Sequence, residues 1–116
     1  MTKNAKSNGG TADVVVHWRP GCGFCSSLLS SLEGTDLEYD TVNIWENESG
    51  ASFVRSVTNG NETVPTVRVG DVALVNPTTR QLLQAVAEHA PQALPEGFEV
   101  PEQGRFAKAV IKLLGG

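Results

Sequence analysis

The sequence is sparing with the residues that mark specialised protein classes. Its 116 residues include only two cysteines and two histidines, aromatic side chains make up 6%, and 9 Lys plus Arg are set against 13 Asp plus Glu. Two cysteines cannot build a disulfide framework. With His17 and His89 they match no zinc-finger spacing, so no metal site closed within one chain is expected. A formal net charge of -4 argues against a nucleic-acid surface, which needs clustered cations on one face. No apolar run reaches transmembrane length, and Met1 to Ala12 is polar and Gly/Asn/Ser-rich, without the apolar core of a signal peptide. Residues 1–12 are therefore expected to be a disordered tail, with no membrane partner. The expected compartment is the reducing cytoplasm, where a Cys-x-x-Cys pair is more often catalytic than structural. The 40% hydrophobic content suffices for one ordinary domain with its own core.

Both cysteines fall in Trp18-Arg19-Pro20-Gly21-Cys22-Gly23-Phe24-Cys25, just after Asp13-Val14-Val15-Val16-His17-Trp18. That β-branched run is the type buried on both faces of an α/β sheet. Cys25, Leu28, Leu29 and Leu32 then recur at helical spacing up to Gly34, which is expected to end the helix in a left-handed conformation. Cys22 thus lies at or beside a helix N-cap. There the unsatisfied N–H groups and the positive end of the helix dipole stabilise a thiolate, an effect that brings thiol pKa values from about 8.5 down to roughly 3.5–7.5. Three residues of helix place the Cα atoms of Cys22 and Cys25 within the roughly 4.4–6.8 Å window of a disulfide. Cys22 reads as the nucleophile and Cys25 as the resolving thiol.

The remaining chain alternates strand and helix. Leu37 to Ile44 reads as a strand with Tyr39, Val42 and Ile44 facing the core and a register change near Asp40. A helix begins at Trp45, carries Phe53, Val54 and Val57 on its apolar stripe, and stops at Asn59-Gly60. Thr66 to Val69 and Val72 to Val75 flank Gly70-Asp71 as a hairpin. Asn76-Pro77 offers an N-cap and a first-turn proline for a helix whose stripe is Leu82, Leu83, Val86 and Ala90. The order is β-α-β-α-β-β-α across residues 13–90. Residues 91–116 form an extension: a Pro/Gly-punctuated connector to Glu102, then an amphipathic helix over Arg105 to Leu114 that docks on the sheet. Trp18 and Trp45 read as packing residues.

That order, with the cysteines directly after the first strand, resembles the glutaredoxin branch of the thioredoxin fold over roughly Ala12 to Ala90. Thr63-Val64-Pro65-Thr66-Val67 is similar to the Thr-Val-Pro segment of that family. The resemblance implies a four-stranded mixed sheet with flanking helices, a cis bond before Pro65, and a Val64 whose backbone faces an incoming disulfide. Within the family the chain looks most like the mycoredoxins, on Cys22-Gly23-Phe24-Cys25, Asn43-Ile44-Trp45-Glu46, residues 60–67 and Val75-Asn76-Pro77-Thr78. Glutathione-dependent members usually carry Gly-Gly and acidic residues at that last position.

The resemblance implies a thiol–disulfide oxidoreductase acting on mixed disulfides between proteins and a low-molecular-weight thiol, mycothiol or glutathione, with no bound cofactor. Its partners would be mixed-disulfide proteins and the mycothiol and mycothiol disulfide reductase system. Thr63, Val64, Pro65, Arg19, Phe24, Asn76 and Thr78 are the candidate substrate contacts. Arg68 and Arg80 are further cations, whose ordinary role is solvated surface charge. Two other readings stay open: a dithiol donor reduced by a thioredoxin reductase, and a dimeric iron–sulfur or zinc carrier.

Overall fold

The computed structural model describes residues 12–94 and, as backbone only, residues 110–113. Strands β1 (Val14–Trp18), β2 (Asp40–Asn43), β3 (Thr66–Val69), β4 (Val72–Val75) and β5 (Val110–Leu113) make one sheet in the order β2-β1-β3-β4-β5. β1 runs parallel to β2, and all other neighbours are antiparallel. Helices α1 (Gly23–Glu33), α2 (Glu48–Val57) and α3 (Thr79–His89) flank it.

The alternation of β1 explains the layering. Val14 and Val16 point to one face, where they meet Leu28 and Leu32 of α1, Leu82 and Val86 of α3, and Val67, Val69 and Leu74 of the sheet. Val15 and His17 point to the other face, toward α2. Both faces of β1 are consequently apolar and covered, as its unbroken valine run requires. On the α2 side a smaller cluster of Ile44, Ala51 and Val54 is joined by Phe53 and Val64. Gly50 lets α2 lie close to β2, since a Cβ there would sit 2.5 Å from Val42 Cγ1.

Element boundaries depart from the sequence reading in ways with local causes. The second strand is shorter than Leu37 to Ile44: Leu37 and Tyr39 are buried in the main core as irregular chain, and pairing with β1 begins at Asp40. Helix α2 starts at Glu48, because the Asn47 side chain accepts the Gly50 N–H at 2.9 Å and makes Asn47 the N-cap. Trp45 therefore lies outside the helix, and it is 63% exposed instead of packed. Helix α1 stops at Gly34 with an ordinary negative φ of -90°; the left-handed residue is Asp36, two positions on. Helix α3 is capped by Thr78 and not by Asn76. Thr78 Oγ1 accepts the Gln81 N–H at 3.1 Å, and Gln81 Oε1 accepts the Thr78 N–H at 2.9 Å.

The largest departure is at the C-terminus. Residues 110–113, expected within an amphipathic helix, form a fifth strand antiparallel to β4, with Val75 opposite Val110 and Val72 opposite Leu113. The edge of β4 presents backbone groups that need partners, and the β-branched pair Val110-Ile111 suits an extended chain better than a helix. The rest of that expected helix, residues 105–109 and 114, lies outside the described residues, as do 1–11 of the expected tail. No helix among the described residues is long and apolar enough to cross a membrane.

Candidate active site

β1 ends at Trp18, and Arg19-Pro20-Gly21 turns the chain into α1, with Gly21 at a φ of +79° that favours glycine. Cys22 is the N-cap of α1, extended in backbone, and its Sγ accepts the Cys25 N–H at 3.1 Å. A cysteine at an N-cap meets a donor that an anionic sulfur uses better than a neutral one. Across the cleft the Val64 carbonyl lies 3.8 Å from Cys22 Sγ, within reach of the thiol hydrogen. Both cysteines are free thiols, Cys22 half-buried and Cys25 only 1% exposed. Burial, followed by its side-chain hydrogen bond with Cys22, pushes the Cys25 thiol up to about 12.

The peptide bond between Val64 and Pro65 is cis. Short hydrogen bonds hold this segment on both sides. Thr66 Oγ1 donates to the Thr63 carbonyl at 2.7 Å, and the Asn76 N–H donates to the Pro65 carbonyl at 2.7 Å, tying the β4–α3 loop to the cis-proline loop. The buried imidazole of His17 donates Nδ1–H to the Thr66 carbonyl at 3.0 Å and stacks on Phe53 at 4.9 Å between centroids. Bonding to a carbonyl fixes the tautomer, and burial lowers the pKa of His17 below its ordinary value. At the loop's outer end, the Arg55 guanidinium bridges Glu62, just before Thr63, and Glu48 at the start of α2, each at 2.7 Å.

The candidate contacts divide around Cys22. On the β2 side the Arg19 guanidinium sits 5.7 Å from the centre of the Trp45 ring, a cation–π distance, and donates to the Pro20 carbonyl at 2.9 Å. On the β4 side Phe24, 71% exposed, shares a cavity of about 370 Å³ with Ser27, Leu28 and Ser31 of α1 and with residues 76–79. Asn76 and Thr78 thus line the same cavity as Phe24, while the Val64 carbonyl, between Thr63 and Pro65 in the chain, stands opposite Cys22. Arg68 does not join them. It lies toward the hairpin end of β3, where it donates to the Gly70 and Ala12 carbonyls at 3.1 and 2.8 Å, so its role is to pin the chain entering β1. Sequence reasoning named Thr79 beside Asn76 and Thr78 but missed the exposed Trp45 and the cavity residues Ser27 and Ser31. The i, i+4 spacing of the two serines was the available signal.

The glutaredoxin family model matches residues 14–74, from the start of β1 into β4, and so spans both cysteines and the cis-proline loop. The chain belongs to the glutaredoxin family. It is a thiol–disulfide oxidoreductase, with its cysteine pair at the opening of the first helix. This glutaredoxin is 38% identical over 73 residues to a Mycobacterium tuberculosis (strain H37Rv) protein named as a glutaredoxin, an alignment covering 62% of this chain and 87% of the relative. It is 33% identical over 76 residues to Mycoredoxin 1 of Corynebacterium glutamicum (strain ATCC 13032), covering 65% of this chain and 94% of that protein. The glutaredoxin-matched segment ends before α3, so Asn76, Thr78 and β5 lie outside it.

Proposed function

We propose that this glutaredoxin reduces mixed disulfides between proteins and mycothiol in the cytoplasm, with Cys22 as nucleophile and Cys25 as resolving thiol. The observation that carries the division of labour is the contrast between the two sulfurs. Cys22 is reachable and receives a helix N–H, whereas Cys25 is sealed off and held protonated. The thiolate of Cys22 attacks the mycothiol sulfur of the mixed disulfide. A Cys22–mycothiol disulfide forms, and the protein leaves as a thiolate that takes up a proton. A second mycothiol then attacks that disulfide and releases Cys22, leaving mycothiol disulfide for its reductase. In the dithiol route Cys25, giving up its proton, attacks Cys22 of that mixed disulfide instead; the Cys22–mycothiol bond breaks, the Cys22–Cys25 disulfide closes, and mycothiol leaves as a thiolate that takes up a proton.

Val64 contributes its backbone carbonyl opposite Cys22, flanked by Thr63 and Pro65, whose own carbonyls accept from Thr66 Oγ1 and from the Asn76 N–H. Arg19 flanks the approach on one side, and Phe24, Asn76 and Thr78 line the other. Mycothiol is favoured over glutathione by the similarity to Mycoredoxin 1 and by Val75-Asn76-Pro77-Thr78, which puts no acidic residue before α3.

The test is turnover of a mycothiolated peptide with mycothiol and its reductase. Cys22→Ser should abolish it and Cys25→Ser should retain most of it. Full activity in both variants would refute the assignment. A collapse in Cys25→Ser, with wild-type turnover supported by thioredoxin reductase, would instead identify a dithiol donor.

A further inference from the structure

We infer that the cavity between β1 and the opening of α2, on the sheet face turned away from α1 and α3, binds a small hydroxy acid, with its carboxylate against Arg68 and its hydroxyl donating to Nε2 of His17. The site is separate from the cavity beside Phe24, and the inference does not depend on the thiol chemistry at Cys22. It encloses about 300 Å³, and among its described lining residues Arg68 carries the one formal charge. Two of the five guanidinium N–H groups go to the carbonyls of Gly70 and Ala12, and Arg68 makes no ion pair among the described residues. Asp40, across Val15 from Arg68 on the same face, does not line the cavity and accepts the Ala12 N–H at 3.1 Å. Glu48, at the start of α2, is paired with Arg55. A half-buried cation answered only by neutral carbonyls favours an anion beside it.

His17 supplies a second, independent feature. The residue is only 5% exposed, and its Nδ1–H is committed to the Thr66 carbonyl. In the neutral ring that burial favours, Nε2 is left as an acceptor, and no donor among the described residues meets it. Gln84 Oε1 is the one side-chain N or O atom among them that is sealed from solvent without a hydrogen bond. His17 Nε2 is therefore reached through the cavity that the residue lines, and its partner there has to be a donor. The ladder sets the spacing between the two ends. His17 pairs with Thr66, and Arg68 lies two residues further along β3, a diagonal of about 7–8 Å between backbone positions. A single ring with a carboxylate and a hydroxyl at opposite ends suits that span, and Val15, Val42 and Phe53 offer it apolar surface. Ser49 adds a hydroxyl that makes no hydrogen bond among the described residues, and the Asn47 cap takes the N–H of Gly50 and leaves that of Ser49.

The experiment titrates the whole reduced chain, isotopically labelled, with 4-hydroxybenzoate, benzoate and 4-hydroxybenzamide, and follows backbone amides and imidazole nitrogens by NMR. 4-Hydroxybenzoate should bind with a Kd of about 1 mM, ordinary for a ligand of about ten heavy atoms. It should shift the amides of Val15, Ser49, Gly50 and Phe53 and the Nε2 resonance of His17. Benzoate, which lacks the hydroxyl, should bind about fivefold more weakly and leave the Nε2 resonance unmoved, and 4-hydroxybenzamide, which lacks the charge, should bind about tenfold more weakly. Arg68→Gln should abolish the preference for carboxylate over amide while Cys22-dependent turnover is retained. The three probes on wild-type protein decide the matter even where that variant fails to fold. Equal affinity for 4-hydroxybenzoate and 4-hydroxybenzamide overturns the inference, as does an Nε2 resonance that benzoate moves as far as 4-hydroxybenzoate does. So does the absence of shifts at these residues at about 10 mM 4-hydroxybenzoate, ten times the expected Kd.

Discussion

The difference between the two sulfurs can be measured directly by alkylation. With its pKa pushed up to about 12, the Cys25 thiol is ionised to about one part in 10⁵ at pH 7, whereas an ordinary cysteine is ionised to at least about one part in 10². The thiolate is the reacting species, so ionisation alone slows Cys25 about a thousandfold, and 1% exposure slows it further. The leading cause is burial, so the effect should survive in Cys22→Ser, where the hydrogen bond and charge of the partner sulfur are gone. Limiting iodoacetamide at pH 7, followed by peptide mass spectrometry, should place essentially all label on Cys22. Cys25 in the Cys22→Ser variant should react at least two orders of magnitude more slowly than a free cysteine, until denaturant exposes it. Comparable native-state rates at the two positions would show that Cys25 is neither buried nor held protonated, and the division into attacking and resolving thiols would lose its basis.

Three further outcomes follow from single contacts. His17 has its pKa depressed below 6.5 by burial, so its contribution to stability is complete above pH 6.5 and is lost as the pH falls through the folded-state value; urea unfolding should weaken from pH 7 to pH 5, and His17→Phe should flatten that dependence. Thr78→Ala removes an N-cap and should cost about 1 kcal/mol, lowering Tm by about 4–8 °C in a thermal melt. Gly50→Ala would force a Cβ to within 2.5 Å of Val42 Cγ1 and should destabilise by about 1–3 kcal/mol despite alanine's better helix propensity, so a neutral or raised Tm would contradict the close approach of α2 to β2.

The sequence announced the parts of this fold in which local pattern and tertiary demand agree. The valine run of β1, the helical stripe after Cys22 and the Gly70-Asp71 hairpin each reappear close to where periodicity put them. The misjudged boundaries are those where a single side chain decides. Asn47 starts α2 by accepting the Gly50 N–H, and Thr78 with Gln81 starts α3, although Asn76-Pro77 carries the commoner cap composition. At the C-terminus the obstacle was different in kind. Residues 110–113 fit either period over four positions, and the choice is made by the unpaired edge of β4, which is distant in sequence. Within the site, cysteine spacing and the Thr-Val-Pro segment made Cys22, Cys25 and Val64 legible. Ser27 and Ser31 of α1 were not legible as cavity-lining residues, because that place depends on the β4–α3 loop lying near them.

The same loop explains how a site assembled from distant segments keeps its geometry. Cys22 comes from the end of β1, Val64 from the approach to β3, and Asn76 and Thr78 from the exit of β4. Each strand end is fixed by the ladder next to it, with His17 opposite Thr66 and Thr66 opposite Val75. Two bonds then lock the loops beyond the strands: the His17 imidazole holds the Thr66 carbonyl, and the Asn76 N–H holds the carbonyl of Pro65. The two residues that follow Val64, whose carbonyl faces Cys22, are therefore anchored from β1 on one side and from the β4–α3 loop on the other. The β4–α3 loop that lines the cavity beside Phe24 is bonded directly to the cis-proline segment. The cavity beside Phe24 and the carbonyl opposite Cys22 thus share one hydrogen-bonded frame.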